Sequence, residues 1–210
     1  MGKSTEATSL VTRMASEQDP REKTSVKPRY HWVPPVTTDL QLSGGIERAA
    51  VISDCGKYRY RLWRKWAETE RMPVLWIMLN PSTADANIDD PTIRRCIKFS
   101  QTWGYGSMWV GNLFAWRSTD PMALFGLSEH ERIGPDNDRH LTAMAHESAQ
   151  IICAWGDHGG AHPWINYRRD VFCPGGRWHL GRTASHSPKH PLARGKAFMP
   201  YDTPLTEYRA

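Results

Sequence analysis

The chain has 210 residues, 40% of them hydrophobic and 23% charged, which is enough to bury one sizeable core and too little for two ordinary domains beside a polar leader. Lys and Arg outnumber Asp and Glu by 27 to 22, giving a net charge of +5 and a pI near 9.1, a weak pointer to a polyanionic partner. Four cysteines, Cys55, Cys96, Cys153 and Cys173, form no C-x-x-C pair, which argues against a zinc ribbon, an iron–sulfur site or a disulfide framework.

Residues 1–40 are rich in Ser, Thr, Glu, Lys and Pro without sustained periodicity and are expected to form a disordered polar leader before a single α/β domain over 45–210. The N-terminus has no apolar segment followed by a small-residue cleavage site, and no apolar run approaches ~20 residues. A soluble, cytoplasmic protein with reduced thiols and no membrane partner is the expectation.

Ordered structure is predicted to begin with a hairpin, Ala49 to Ser53 and Tyr58 to Trp66, turning at Asp54, Cys55 and Gly56. Alternation from Tyr58 to Leu62 predicts a half-exposed strand. Its cations Arg59, Arg61, Arg64 and Lys65 alternate with Tyr58, Tyr60, Trp63 and Trp66, a mixture that suits phosphates and stacked bases as well as a solvated basic face.

Val74 to Leu79 is wholly apolar, as a central parallel strand covered on both faces must be, and it stops abruptly at Asn80-Pro81-Ser82-Thr83. Asp90-Pro91 then predicts a helix of about ten residues, with Asp90 as N-cap and Pro91 at the first helical position, ended by Gly104 and Gly106. A buried strand from Met108 to Phe114 runs into the loop Ala115 to Pro121. A helix over 137–149, a strand Ile151 to Gly156 and a short strand Arg177 to Leu180 complete the series. Strands alternating with helices predict a three-layer α/β/α sandwich around a mostly parallel sheet, with ligands outside the carboxyl ends of the strands.

Polar motifs fall at those ends: Leu79-Asn80-Pro81-Ser82, Trp155-Gly156 and His190-Pro191-Leu192. With the intervening segments from Tyr58 to about Leu192, this ordered set resembles a widespread bacterial domain-of-unknown-function family. It is also similar to the uracil-DNA glycosylase superfamily, where a buried strand ends in Asn-Pro or Asp-Pro, a later one in Trp-Gly, and a His-Pro loop follows. The mismatch-specific branch has Asn-Pro before a small residue, as in Asn80-Pro81-Ser82.

That resemblance implies a base-excising N-glycosylase acting on a base flipped from double- or single-stranded DNA, as a monomer and without metal or organic cofactor. It gives Asn80 the role of holding the attacking water beneath C1′. Being neutral, Asn80 orients water without acting as a strong base, so stabilisation of the departing base anion must supply most of the rate. His190 is the implied donor to that anion, in a role worth ~3 kcal/mol for comparable oxyanion donors.

Asn112 falls where the superfamily places the Asn that reads the base edge, although a strand-end Asn is also an ordinary turn residue. Pro81, Phe114 and Trp155 belong to the implied base pocket, and Lys189 and Arg194 to the phosphate contacts. Ser82 stands where enzymes strict for uracil carry a tyrosine that excludes C5 substituents, so a C5-modified or mismatched pyrimidine is the implied substrate. Repair, or defence against phages whose DNA carries modified bases, would fit such a pocket. His186 departs from the pattern, because a small residue is expected in its place.

Asp85, Asp89 and Asp90 cluster after the first strand end. Asp90 is accounted for as an N-cap, and Asp85 is retained as a candidate catalytic ligand of water or substrate. His158, His162, His179 and His186, near Asp157 and Cys173, match no standard zinc spacing. Two other readings stay open: a nucleic-acid-binding module without catalysis, and a hydrolase of free modified nucleotides. Trp103, Trp116 and Trp155 can stack on a base, though core packing is the commoner fate of tryptophan.

Overall fold

A computed structural model of the chain describes residues 45–157, 163–172 and 177–208. The expected leader over 1–40 lies outside them, as do His158, His162 and Cys173.

The elements run β1 (Glu47–Ile52), β2 (Arg59–Lys65), β3 (Val74–Met78), α1 (Pro91–Thr102), β4 (Ser107–Asn112), a 3-10 helix (Pro121–Gly126), α2 (Glu129–Ile133), α3 (Asn137–His146), β5 (Gln150–Cys153), α4 (Pro163–Phe172), β6 (Arg177–His179), a short 3-10 turn (Gly195–Ala197) and β7 (Thr206–Glu207). Among the described residues the strands form a seven-stranded sheet of order β1-β2-β4-β3-β5-β6-β7.

The expected α/β class holds, but the sheet is mixed. β4, β3, β5 and β6 pair in parallel, while β1, β2 and β7 add antiparallel pairs toward the edges. A hairpin built on a short turn forces β1 and β2 antiparallel. The C-terminal segment then returns along β6 as β7, which the sequence reading did not anticipate.

The apolar run of β3 divides by the two-residue period of a strand. Val74, Trp76 and Met78 join Ile93, Cys96, Ile97 and Phe99 of α1 in one buried cluster. Leu75, Ile77 and Leu79 join Leu141 and Met144 of α3 and Ile165 and Phe172 of α4 in another. Trp76 is wholly buried and donates its indole N–H to Ser100 Oγ on α1 at 3.0 Å. On the opposite face Gly111 lets α3 approach β4, since a Cβ there would lie 2.5 Å from Leu141 Cδ2 and 2.8 Å from Met144 Cε. Overpacking of that kind costs about 1–3 kcal/mol.

Helix α1 starts as its sequence dictates. Asp90 Oδ1 accepts from Ile93 N at 2.9 Å, Pro91 occupies the first turn, and Gly104 follows the helix at φ 77°.

The half-exposed reading of the Tyr58 to Leu62 segment is overturned. Six of the seven residues of β2 are buried, because β1 and β4 flank the strand and its arginines turn inward. Arg59 Nη1 donates to Ala84 O at 2.7 Å, and Arg61 Nε donates to His140 Nδ1 at 2.7 Å. Arg64, without solvent exposure, donates to Asp89 at 2.7 Å and to Asp85 O at 2.7 Å. These three guanidiniums brace the interior and loops instead of presenting a basic face. Among the described residues, no helix is long and apolar enough to cross a membrane.

Candidate active site

The carboxyl ends of β3, β4 and β5 are tied together by backbone bonds that continue past the strands. Leu113 N donates to Met78 O, Phe114 N to Leu79 O, Ala154 N to Ile77 O and Ser118 N to Pro81 O, all within 2.8–3.0 Å. Beyond these ends lies a cleft of about 310 Å³, at the lower end of the ~300–1,000 Å³ common for small-ligand sites.

Four residues that the sequence scatters over more than a hundred positions meet in its lining: Asn80, Ser82, Trp155 and His190. Asp90, Pro91 and Thr92 from the start of α1, together with Ser118, Thr119 and Leu192, complete a hydroxyl-rich wall.

The Asn80 amide has a defined orientation. Nδ2 donates to Ser118 O at 2.9 Å and to Pro81 O at 3.3 Å, which assigns the nitrogen by its partners and leaves Oδ1 as the acceptor. Asn80 can therefore accept a proton-bearing group, such as a water, but has no donor to spare.

His190 is also oriented by its own loop. The Leu192 backbone N–H donates to Nδ1 at 3.2 Å, so the proton of the neutral ring belongs on Nε2. Gly156 packs beneath it, and Gly156 N donates to Pro188 O at 2.9 Å, fastening the end of β5 to the His190 loop. From α1, Arg95 Nε donates to Pro191 O at 2.7 Å and Nη2 to Met199 O. The Arg95 guanidinium lies 4.8–5.1 Å from the rings of Tyr201, Phe198 and Phe99, within cation–π range. Arg95 was not singled out from the sequence, and as one arginine of a helix face it gave no signal there.

Other candidates stand outside the lining. Asp85 Oδ1 accepts from Asn87 N at 2.8 Å and Ile88 N at 2.9 Å, holding the loop before α1. Pro81 is buried, and its carbonyl joins Asn80 to Ser118. Phe114 is buried edge-on to Trp164, their ring centroids 4.9 Å apart. Lys189 is half-buried with its stem against Gly181, and Arg194 is exposed at the N-cap position of the short 3-10 turn, where its side chain makes no capping bond.

Asn112 is buried on β4 in register with Met78, which does line the cleft, and among the described residues neither its Nδ2 nor its Oδ1 has a hydrogen-bond partner. An unpaired buried amide costs about 1–3 kcal/mol, so this position carries a cost that packing does not explain. His186, where a small residue was expected, adopts φ 63°, a conformation uncommon outside glycine. Trp103 stacks on Trp76 and Phe99, away from the lining, whereas Trp155 lines the cleft and packs edge-on to Tyr208. Trp116 packs edge-on to Tyr58. Among the described residues no group of His, Cys, Asp or Glu is arranged to hold a metal ion.

The chain belongs to a family described as protein of unknown function (DUF1643), whose model matches residues 59–192. That span opens at the first residue of β2 and closes at Leu192 in the cleft wall, so it takes in Asn80, Ser82, Asp90, Trp155 and His190. No curated protein and no solved structure matches the chain.

Proposed function

We propose that this DUF1643 protein is a DNA N-glycosylase, with a fold like that of the uracil-DNA glycosylase superfamily and its mismatch-specific branch, which hydrolyses the N-glycosidic bond of a flipped, C5-modified or mismatched pyrimidine. The observation that carries the proposal is the meeting, in one cleft, of Asn80, whose Oδ1 is left as an acceptor, and His190, whose Nδ1 accepts from the Leu192 backbone N–H.

N-glycosidic hydrolysis passes through an oxocarbenium-like sugar and a base that leaves with the bonding electron pair. Asn80 Oδ1 accepts a hydrogen bond from the water that attacks C1′. His190 Nε2 donates to the base oxygen where negative charge collects, an arrangement in which a neutral donor stabilises the transition state more than the ground state. Asn112, whose amide has no partner among the described residues and whose strand neighbour Met78 lines the cleft, is the candidate for reading the base edge once a base enters. Ser82, short where a bulky side chain would close the wall, leaves room at C5.

The inward arginines of β2 favour a second reading, cleavage of free modified nucleotides, because Arg59, Arg61 and Arg64 do not reach a DNA backbone. One experiment separates the two. Purified protein is incubated with duplexes carrying uracil, mismatched thymine or a 5-substituted cytosine, and with the matching monomers, and abasic sites are revealed by hot alkali. Strand scission that falls steeply with salt supports the DNA enzyme. Base release from monomers alone supports the nucleotide enzyme, and binding without release supports a non-catalytic module.

A further inference from the structure

We propose that Asp90 is a catalytic residue of this cleft, the carboxylate that takes the proton from the attacking water. The assignment rests on the glycosylase reading and goes beyond it, since Asn80 orients the water but cannot carry its proton away.

Asp90 is the one carboxylate in the described lining of the cleft, alongside Asn80 and His190. Its side chain is held by the helix it begins: Oδ1 accepts from Ile93 N at 2.9 Å, while Oδ2 makes no hydrogen bond among the described residues. One oxygen is therefore occupied in fixing the group and the other is left for a ligand. The neighbouring acid in the same loop, Asp85, spends an oxygen on the amides of Asn87 and Ile88 and stands outside the lining. Arg59, buried beneath the same loop, donates to Ala84 O at 2.7 Å.

The step balances as follows. The water oxygen bonds to C1′ as the C1′–N bond breaks, and that bond's electron pair leaves on the base nitrogen. The water proton passes to Asp90 Oδ2. His190 holds the base anion through Nε2–H until solvent protonates it, and Asp90 returns its proton to solvent. The products are the free base and the sugar hemiacetal.

Asp90→Asn is a clean test because Asn caps a helix about as well as Asp does. Expected are an unchanged Tm, an unchanged Kd for substrate DNA, and a single-turnover excision rate lower by ~100-fold, the range general bases commonly supply. Asp90→Ser, which also keeps a capping oxygen, should show the same loss. Excision by Asp90→Asn at the wild-type rate would overturn the assignment and leave the glycosylase reading standing. A wild type that excises no base overturns both.

Discussion

Gly156 and His190 are in contact across the site. Gly156 adopts φ 73°, and a Cβ on it would stand 3.1 Å from the Cβ of His190. The Trp-Gly ending of β5 is thus the seat of the His-Pro loop, which explains why two motifs 34 positions apart belong to one site. Gly156→Ala should cost ~1–2 kcal/mol for its left-handed backbone and push His190 from its place. Geometry errors near 1 Å cost ~100-fold in rate. Base-excision kinetics together with thermal melting should show a loss of rate out of proportion to the fall in stability.

Arg95 is a positioning residue for the same loop through Pro191 O and Met199 O. Lys in its place keeps the charge and loses the forked geometry. Arg95→Lys should lower kcat with little change in KM. It should also speed hydrogen exchange at the Leu192 amide, the group that orients His190. A purely structural role would leave that amide no more exposed than its neighbours.

Arg64 holds together β2 and the loop before α1. It is fully buried, pairs with Asp89, which also meets Arg48, and donates to Asp85 O. Arg64→Met fills the space but leaves Asp89 to Arg48 alone and takes the donor from Asp85 O, a change that costs about 1–3 kcal/mol. Urea denaturation should report that loss as a lower midpoint at an unchanged slope.

His140 links stability to pH. Burial, then the adjacent Arg61, lowers its pKa from 6.5 to about 4, and Arg61 Nε donates to its Nδ1. A depressed folded pKa means that the unfolded chain takes up a proton first as pH falls. The contribution is therefore whole above pH 6.5 and lost progressively toward pH 4, to a total of ~3 kcal/mol. His140→Gln keeps an acceptor for Arg61 and does not titrate. Unfolding free energies at pH 7 and pH 5 should differ by less in this variant than in the wild type.

Much of the framework could be read directly. Asp90-Pro91 announces a helix start because its chemistry is local, and the apolar run of β3 announces burial because no polar residue interrupts it. The same locality kept the partners of β2 hidden. Alternating arginines look solvated until strand order encloses them, and a register shift between Val51 and Ile52, facing Arg61 and Arg59, interrupts the simple period. The capping box of α2, Ser128 with Glu131, is a local signal written in the sequence, while β7 depends on a long-range return that no local pattern records. Asp90 illustrates the limit best. Its capping role is written in the sequence, but its place in the cleft wall emerges only when α1 docks against β3.

The most direct measurement is a single turnover on DNA bearing a 5-substituted or mismatched pyrimidine in ¹⁸O-labelled water, with mass spectrometry of the released base and the remaining strand. The account predicts an intact free base without label and one ¹⁸O at C1′ of the abasic sugar. Both products should be lost in Asn80→Ala and His190→Ala, which should slow excision by ~100–1,000-fold. No free base from any such substrate, or a base that leaves as fast from Asn80→Ala as from the wild type, would contradict it.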